Sequence, residues 1–292
     1  MAEQQLWDVA LVEHSTALAT TLTPLVDQAR AADGVSPLNE QAERILAGQL
    51  PGLHLLARQD GAVLGYAQVD LADNSVQLFV VPAARRQGIG RALAEMARHQ
   101  GDRLAWWSFG TLEGARALAA RLSLTPARAL LKMSTPTHPD QPHPHPGPAP
   151  DGITVTGFSA DDIDDLVEVN ALAFADHPEQ GRMSRQDVLD KMAEDWFDAE
   201  GLFLARDADG RLLGYHWTKI EGDVGEVYVI GVHPFEHGRG LGRYLLAIGL
   251  HHLSAARGAR VIDLYVEAAN ERLVTMYENA GFVEVQRDTR WA

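Results

Sequence analysis

The sequence predicts an α/β chain of two tandem domains, each built on a mixed sheet of antiparallel and parallel strands. Three observations carry this prediction: the length, an internal repeat, and a proline-rich stretch between its two copies. A chain of 292 residues exceeds one comfortable hydrophobic core, so two domains of roughly 100–150 residues each are expected. We place the first domain at residues 1–135, a linker at 136–150 and the second domain at 151–292.

The repeat is clearest where an apolar strand runs into a glycine-containing turn and an amphipathic helix. Pro82 and Pro234 lie 152 residues apart, and so do Gly88 and Gly240. Because the whole pattern recurs at one spacing, repetition of an α/β unit is the economical explanation. The strand, turn and helix are expected at 77–82, 85–90 and 91–99 in the first half, and at 226–234, 237–242 and 243–256 in the second.

The segments on either side complete the unit. A further strand and helix are expected at 103–109 and 113–122, and their counterparts at 261–267 and 270–280. Earlier in each half, a helix precedes two short apolar runs that flank Asp60-Gly61 or Asp209-Gly210, and such a dipeptide is typical of a hairpin. The order helix, antiparallel strands, glycine turn, helix, strand, helix predicts the mixed sheet.

The stretch 135–150 holds seven of the chain's 14 prolines. Proline fixes φ and has no amide donor, so this stretch should neither pair in a sheet nor continue a helix. We expect a semi-rigid, extended connector. Its histidines, His138, His143 and His145, are interpreted as polar filler rather than metal ligands, because no rigid element would hold them together.

Composition excludes several classes of protein. The chain has no cysteine, which rules out disulfides, thiolate metal sites and a cysteine nucleophile. Its net charge of −15 falls almost entirely on residues 136–292, which carry 27 acidic and 13 basic residues, so nucleic-acid binding there is disfavoured. No apolar run approaches the ~20 residues of a membrane span, and the N-terminus lacks the pattern of a signal peptide. We expect a cytoplasmic, monomeric protein without a metal.

The two glycine turns predict anion sites. A helix N-terminus that follows a strand and a Gly-x-Gly turn presents free amides and the positive end of the helix dipole. The motif lacks the Lys-Ser/Thr of the nucleotide-hydrolysing loop and the third glycine of the dinucleotide fingerprint. A pyrophosphate that needs no metal remains as the ligand, and the occurrence of the turn after two equivalent strands strengthens this interpretation.

These turns, with their strands and the segment 277–282 (YENAGF), resemble the GNAT superfamily of acetyl-CoA-dependent acyltransferases. Over nearly the whole chain, the tandem arrangement further resembles the branch that acetylates the cysteinyl amine of cysteinyl-glucosaminyl-inositol, the last step of mycothiol biosynthesis. One departure is His237, where family members usually carry Gln or Arg. The segments that carry the closer resemblance are 33–37 with Glu40, 173–180, 214–219, 225–229 and 264–267.

The resemblance implies that acetyl-CoA is the cosubstrate, that the second domain is catalytic, and that the first is a non-catalytic copy that holds a second acetyl-CoA. The residues expected to contact it in the first domain are Leu78, Phe79, Val80, Arg86, Gln87, Gly88, Ile89, Gly90 and Arg91. Those in the second are Ile230, Gly231, Val232, His237, Gly238, Arg239, Gly240, Leu241, Gly242, Arg243, Asn270, Glu271, Arg272, Leu273, Val274 and Thr275.

The same resemblance gives the candidate catalytic groups. Glu226 is the candidate general base, acting through water, because an α-amine with a pKa near 7.7–8.0 needs only a weak base. Strict alternation would place it on one strand face with Tyr228 and Ile230. Tyr277, on a helix for which Asn270 is a plausible N-cap, is the candidate acid for the departing thiolate. The residues assigned to the substrate are Glu40, Glu179, Lys219, Glu226 and Tyr265.

Two other functions remain open at this point. One is an acetyltransferase for a different primary amine, such as an antibiotic or a polypeptide N-terminus. The other is a regulatory module that binds acetyl-CoA without catalysis. The first domain has no tyrosine at 113–122 and no carboxylate at 74–77, which favours binding without turnover in that half.

Overall fold

The structure is a computed structural model that describes residues 7–138, 140–175 and 180–292. The described chain divides into two compact units. The first unit comprises the residues up to Leu131 together with Glu267–Ala269 and Gln286–Ala292, and the second comprises Lys132–Val266 and Asn270–Val285. The domain boundaries at residues 135 and 150 stay a prediction.

The first unit is a sheet with helices on its two faces. Strands β1 to β4 are antiparallel neighbours, whereas β4 and β5 are parallel. At the predicted hairpin, Asp60 and Gly61 both have positive φ, 49° and 84°, as a tight two-residue turn requires. The elements are β1 (Asp8–Val12), α1 (Thr16–Asp33), α2 (Glu40–Leu46), β2 (Leu53–Gln59), β3 (Ala62–Asp70), β4 (Ser75–Val80), α3 (Ile89–Arg98), β5 (Ala105–Ser108), α4 (Glu113–Arg121) and β6 (Pro126–Pro136), of which the part up to Leu131 belongs here.

The second unit repeats this plan. Its strands follow the order β6-β11-β10-β9-β8-β7; β7 to β10 are antiparallel neighbours, and β10 and β11 are parallel. The predicted mixed sheet is therefore confirmed. The elements are β7 (Thr154–Gly157), α5 (Ile163–Ala173), α6 (Arg185–Met192), β8 (Leu202–Arg206), β9 (Leu212–Glu221), β10 (Val224–Val232), α7 (Leu241–His251), β11 (Val261–Glu267), α8 (Glu271–Asn279) and β12 (Val283–Trp291), whose residues from Gln286 belong to the first unit.

Two apolar layers cover the sheet of the second unit. On one face, Tyr215 and Trp217 of β9 pack with Ile163, Leu166 and Val188 of α5 and α6. On the other face, Leu245 of α7 packs against Val232 and Leu213. From Gly214 onward the side chains of β9 alternate between these faces, so the two layers identify the face to which each of those residues and its partner on β10 belongs.

The proline-rich segment belongs to the second unit. Strand β6 ends at Pro136, and the chain beyond it is hydrogen-bonded to α7 and the turn that follows it. The His143 amide donates to Ser254 Oγ at 2.9 Å, the His251 ring nitrogen donates to the His143 carbonyl at 2.8 Å, and the Tyr244 hydroxyl donates to the Gly147 carbonyl at 3.3 Å. The segment is tied to a helix and is not a free connector, and its extended conformation stays a prediction.

Two features are absent from the described residues. Over the ranges given above, no helix is both long and apolar enough to cross a membrane. Nor do three or more His, Asp or Glu side chains of those ranges come together as ligands for a metal ion. Within the proline-rich segment, the His145 ring packs edge-on against His251, with 5.1 Å between ring centroids.

Close contact between α7 and the sheet depends on a glycine. The His216 side chain is fully buried, and its Nδ1–H donates to the Leu245 carbonyl at 2.7 Å. Burial lowers the pKa of His216 to about 4, so the imidazole is neutral near pH 7. A Cβ built at Gly249 would overlap this ring, and only glycine lets α7 approach so closely.

Replacement of Gly249 by alanine should therefore destabilise the fold. We expect Gly249→Ala to lower the free energy of unfolding by about 1–3 kcal/mol, because the buried ring has no room to move. Gly114→Ala is the matched control, since a Cβ on that α4 residue would meet no atom within 4 Å and alanine favours a helix by up to about 1 kcal/mol. Chemical denaturation measures both, and equal stability of the two variants would contradict the account.

Candidate active site

A β-bulge in β10 organises the candidate site. Glu226 pairs with Lys219 and Val227 with Thr218, but Val229 pairs with Trp217, so Tyr228 is the extra residue. A bulge of this kind shifts the alternation of every residue beyond it. The Tyr228 ring contacts Trp217, with centroids 5.6 Å apart, and therefore lies on the face of Glu226 and Lys219.

The bulge corrects one prediction. Ile230 pairs with His216, whose ring faces α7, so Ile230 lies on the opposite face from Glu226. Alternation along an unbroken strand predicts that these two side chains share a face. The prediction failed because it assumed a regular strand through Tyr228.

Charged side chains form a row across four neighbouring strands. Lys219 of β9 lies directly opposite Glu226 of β10, and Glu226 lies directly opposite Asp263 of β11. Lys132 of β6 completes the row, with its Nζ 2.7 Å from Asp263 Oδ2. The Lys219 ammonium also lies 2.7 Å from a carboxylate oxygen of Glu221. We call Lys219, Glu226, Asp263 and Lys132 the charge row.

The charge row sets the titration of Glu226. Burial raises the pKa of Glu226, and it is the largest effect. Lys219 and Lys132 act against burial, whereas Asp263 and Glu221 reinforce it, and the net shift is upward. Burial lowers the pKa of Lys132, but Asp263, Tyr265 and Glu226 outweigh it, so Lys132 stays charged. The result is a carboxylate whose proton affinity is held above the ordinary value.

Aromatic rings border the charge row on the same face. Trp196, Trp217 and Tyr228 pack together, with centroid distances of 5.0 to 6.1 Å. The Lys219 Nζ lies 5.1 Å from the centre of the Trp196 ring, close enough for a cation–π attraction. The lysine opposite Glu226 is thus fixed by a ring as well as by a carboxylate.

The glycine turn of the second unit is open. Gly238 and Gly240 have positive φ, 82° and 91°, and Gly240 is the N-cap residue of α7. Among the residues that the structure describes, no side chain caps α7, and no atom beyond the turn lies within 4 Å of a Cβ built at either glycine. The first amides of α7 are therefore left without a side-chain cap, and such amides can bind an anion. His237 lies at the base of this turn, with Nε2 3.2 Å from the Val232 carbonyl oxygen.

Strands β10 and β11 separate beside this turn. Their parallel pairing begins at Val224 with Val261 and ends at Val227 with Leu264, while β10 continues along β9 as far as Val232. The edge of β10 beyond the bulge is therefore turned toward an opening between the two strands. Such an edge can form main-chain hydrogen bonds with an extended ligand.

The first unit has the same opening and a more constrained turn. Pairing of β4 with β5 spans only Ser75 with Ala105 and Val76 with Trp106. Gly88 is the N-cap residue of α3, with φ 87°. Arg86, at the position that Gly238 holds in the second turn, adopts the left-handed conformation with φ 65°. Arg85 fixes this turn, because its guanidinium forms two 2.7 Å hydrogen bonds with Asp33 and donates to the Val80 carbonyl at 3.1 Å.

The first unit lacks the charge row. Its ladder pairs Gly65 with Val80 and Asp70 with Ser75 without a break, whereas the bulge interrupts the ladder of the second unit. Counted from the turn, Asp70 and Ser75 occupy the places of Lys219 and Glu226. The first unit therefore has no counterpart of the Glu226–Lys219 pair.

Tyr277 lies on α8, which begins as predicted: the Asn270 side chain accepts a hydrogen bond from the Leu273 amide at 3.2 Å. Tyr277 is 7% exposed and contacts the Phe282 ring. Burial raises the pKa of Tyr277 to about 12, so the hydroxyl carries its proton at neutral pH. That hydroxyl forms no hydrogen bond to another residue within the described chain.

The remaining predicted residues are distributed as follows. Tyr265 is 46% exposed on β11 and close enough to Lys132 to affect its pKa. Glu40 is the exposed first residue of α2 in the first unit. Glu179 lies outside the described residues. The predicted acetyl-CoA contacts fall at the ends of β4 and β10, in the two turns, and in the first turns of α3, α7 and α8.

Sequence reasoning missed Asp263 and Lys132. The available signal was the alternation of Asp263 with Ile262 and Leu264, which are fully buried on the other face of β11. For Lys132 the available signal was the rarity of lysine, because the chain has only three: Lys132, Lys191 and Lys219.

Two family models match the chain, one in each half. The model of the acetyltransferase (GNAT) domain matches residues 51–122, and that of the acetyltransferase (GNAT) family matches residues 166–282. The chain is 49% identical over 265 residues to the mycothiol acetyltransferase of Propionibacterium freudenreichii subsp. shermanii, covering 89% of this chain and 84% of that protein. This chain belongs to the mycothiol acetyltransferase family. A second member, from Clavibacter michiganensis subsp. michiganensis, is 46% identical over 97% of this chain and 94% of its own.

Solved structures agree on the fold. A GCN5-related N-acetyltransferase from Sphaerobacter thermophilus superposes with a TM-score of 0.72 at 23% identity, over 99% of this chain and 95% of that one. A tandem GNAT protein from the clavulanic acid biosynthesis pathway gives 0.70 at 19% identity, over 98% and 97%. Membership in the mycothiol acetyltransferase family makes the chain an N-acetyltransferase, and the predicted tandem GNAT fold is confirmed.

The charge row yields a prediction about Glu226. Removal of the Lys132 charge leaves Asp263 unneutralised beside Glu226, and a nearby like charge raises the pKa of a carboxyl group. We expect Lys132→Met to raise the pKa of Glu226 further and Lys132→Arg to leave it nearly unchanged. Carboxyl ¹³C NMR titration measures this, with the signal assigned by its loss in Glu226→Gln. A downward shift, or an equal upward shift in both variants, would contradict the role of Lys132.

Proposed function

We propose that the chain transfers the acetyl group of acetyl-CoA to the cysteinyl amine of cysteinyl-glucosaminyl-inositol, the last step of mycothiol biosynthesis. The observation that carries the proposal is the coincidence, in the second unit, of an open glycine turn, a separated strand edge and the Glu226–Lys219 pair. The family to which the chain belongs supports the same reaction. Acetyl transfer forms a carbon–nitrogen bond, breaks the thioester carbon–sulfur bond, and moves one proton from the amine and one to the thiolate.

Alignment of the thioester is the first task. The amides at the start of α7 are suited to the pyrophosphate of acetyl-CoA, and the β10 edge beyond Val227 is suited to its extended pantetheine arm. An amide of that edge would also polarise the thioester carbonyl. Fixed alignment of two reactants contributes several kcal/mol to rate enhancement.

Removal of the amine proton falls to Glu226. An ordinary α-amine has a pKa near 7.7–8.0, so its deprotonation near pH 7 costs only about 1 kcal/mol. A carboxylate whose pKa is raised by burial accepts that proton more readily than an exposed one, and a water molecule would relay it. Lys219 opposes the effect of burial and so favours the ionised form of the carboxylate.

Delivery of a proton to the sulfur falls to Tyr277. Its buried hydroxyl stays protonated at neutral pH because burial raises its pKa to about 12. A coenzyme A thiolate is a base that such a hydroxyl can protonate in the transition state. The hydroxyl's lack of a partner in the described chain leaves its proton available for this step.

In the first unit we propose binding without turnover. The open helix N-terminus and separated strands are retained, while Ser75 and Asp70 stand where the second unit has Glu226 and Lys219. That the protein is monomeric and cytoplasmic stays a prediction.

Loss of either proton-transfer group should abolish most turnover. We expect Glu226→Gln and Tyr277→Phe each to lower kcat by about 10²–10⁴-fold, the usual contribution of general acid–base catalysis, with little change in acetyl-CoA binding. Release of coenzyme A with cysteinyl-glucosaminyl-inositol as acceptor measures this, and Glu278→Gln and Tyr244→Phe are controls of the same chemistry outside the site.

The outcomes separate the candidate functions. No release by the parent protein above background, with acetyl-CoA bound, would favour a different amine or the regulatory module. Unchanged kcat in both variants would contradict the catalytic assignment while leaving the reaction itself intact.

The two glycine turns should contribute separately to acetyl-CoA binding. An aspartate at Gly240 or Gly88 places a negative charge where the phosphates would lie, and both positions have positive φ, which disfavours a side chain. We expect Gly240→Asp to abolish turnover and acetyl-CoA binding by the second unit. We expect Gly88→Asp to abolish acetyl-CoA binding by the first unit with little change in kcat. Calorimetric stoichiometry and kcat measure this. If Gly88→Asp still binds two molecules of acetyl-CoA with unchanged affinity, binding by the first unit is contradicted.

A further inference from the structure

Lys219 places a primary amine of the protein itself beside the candidate base. It lies directly opposite Glu226 on the same face of the sheet, and the Cβ atoms of such a pair are about 4.5–5.5 Å apart. A lysine side chain is long and flexible, so its Nζ can reach the Glu226 carboxylate without any movement of the main chain. An amine within reach of this carboxylate is what the proposed reaction requires of its acceptor.

The contacts of the Lys219 ammonium hold it weakly. Its Nζ lies 2.7 Å from a carboxylate oxygen of Glu221, but the Glu221 side chain is 64% exposed, and exposed ion pairs contribute little. The Trp196 ring, whose centre lies 5.1 Å from the Nζ, adds a cation–π attraction. Loss of a proton from Lys219 therefore gives up one exposed ion pair and one ring contact.

Lys132, the other lysine of the charge row, is held more firmly. Its Nζ lies 2.7 Å from Asp263, whose side chain is only 10% exposed and also accepts a hydrogen bond from the Ser134 hydroxyl. Burial lowers the pKa of Lys132, but the hydrogen bond to Asp263 and the neighbouring charges outweigh it, so the pKa is raised. A neutral Lys132 would leave the Asp263 carboxylate buried without its cation, which is costly. Lys219 is therefore the better nucleophile of the two.

We propose that the protein acetylates its own Lys219 when acetyl-CoA is bound and the acceptor is absent. The inference rests on the proposed function, because Glu226 and Tyr277 act in the same roles. The lysine ammonium loses one proton to Glu226, and its nitrogen then bonds to the acetyl carbon and loses a second proton to solvent. The carbon–sulfur bond breaks, and the thiolate takes a proton from Tyr277. Once Glu226 and Tyr277 have regained their starting states through solvent, the products are acetyl-lysine, coenzyme A and one proton.

This modification switches the protein off. Acetylation removes the charge of a lysine, and Lys219 is the group that most lowers the pKa of Glu226 against the larger effect of burial. Without that charge the Glu226 carboxyl group is protonated more of the time and accepts a proton less readily. The acetyl group also stands beside Glu226, where the acceptor amine has to lie. Acceptor and self-acetylation therefore exclude each other.

Self-acetylation is slow and speeds up as the pH rises. An ordinary lysine amine has a pKa near 10.4, against 7.7–8.0 for an α-amine, so its neutral fraction near pH 7 is about 300-fold smaller. We expect self-acetylation to be slower than turnover of the acceptor by at least about this factor. Its rate should rise about tenfold for each pH unit above 7, because the neutral fraction does so.

The test is mass spectrometry of the intact protein, with peptide mapping, after incubation with acetyl-CoA alone. We expect one acetyl group on Lys219, formed at a rate per molecule that is independent of protein concentration and suppressed by cysteinyl-glucosaminyl-inositol. Glu226→Gln should lower this rate by about 10²–10⁴-fold, whereas the matched control Glu278→Gln should keep the parent rate. Lys219→Arg, which keeps the positive charge, should gain no acetyl group at this rate.

The other lysines report ordinary chemical acetylation. Equal labelling of Lys132, Lys191 and Lys219, or equal labelling of Lys219 in Glu226→Gln and the parent protein, would overturn the inference. Turnover of cysteinyl-glucosaminyl-inositol by a parent protein whose Lys219 stays unmodified with acetyl-CoA alone would also overturn it, and would leave the proposed function intact. Acetylation of Lys219 that depends on Glu226, without turnover of that acceptor, would support the inference and overturn the assignment of the acceptor.

Discussion

One extra residue in β10 decides which side chains of the second unit share a face with Glu226. Because Tyr228 is inserted opposite no partner, Glu226 stays on the face of Lys219 while Ile230 moves to the face of α7. The same insertion adds Tyr228 to the aromatic rings on the Glu226 face. Bulges are a common way of directing a side chain near an active site, and here one bulge separates a chemical face from an anchoring face along a single strand.

The two units share a scaffold but differ at the face proposed to be catalytic. Both have a strand that separates from its parallel neighbour and a helix that begins at a left-handed glycine. The first unit keeps this geometry with Arg86 in an unfavourable backbone conformation, which costs on the order of 1–3 kcal/mol, next to the Arg85–Asp33 pair. The second unit has glycine there, and it alone carries the charge row.

Local patterns in the sequence predicted the elements well. The strand at 261–267 coincides with β11, and the helix at 270–280 differs from α8 by one residue at each end, since caps and apolar periodicity are local signals. The bulge could not be predicted, because the residues around Tyr228 are all compatible with a regular strand. Lys132 could not be placed near Glu226 because their approach depends on the order of strands, which no local pattern records.

The scarcity of lysine has a practical consequence. Apart from the α-amino group, the chain's primary amines are Lys132, Lys191 and Lys219. Lys132 and Lys219 belong to the charge row, and Lys191 of α6 lines the same cleft as Trp217 and Tyr228. Dyes, biotin reagents and activated surfaces that couple to lysine would therefore attach at or near the charge row and the proposed reaction centre rather than across the molecule. Since the chain has no cysteine, a single thiol introduced on an exposed helix provides an attachment point that leaves this face clear.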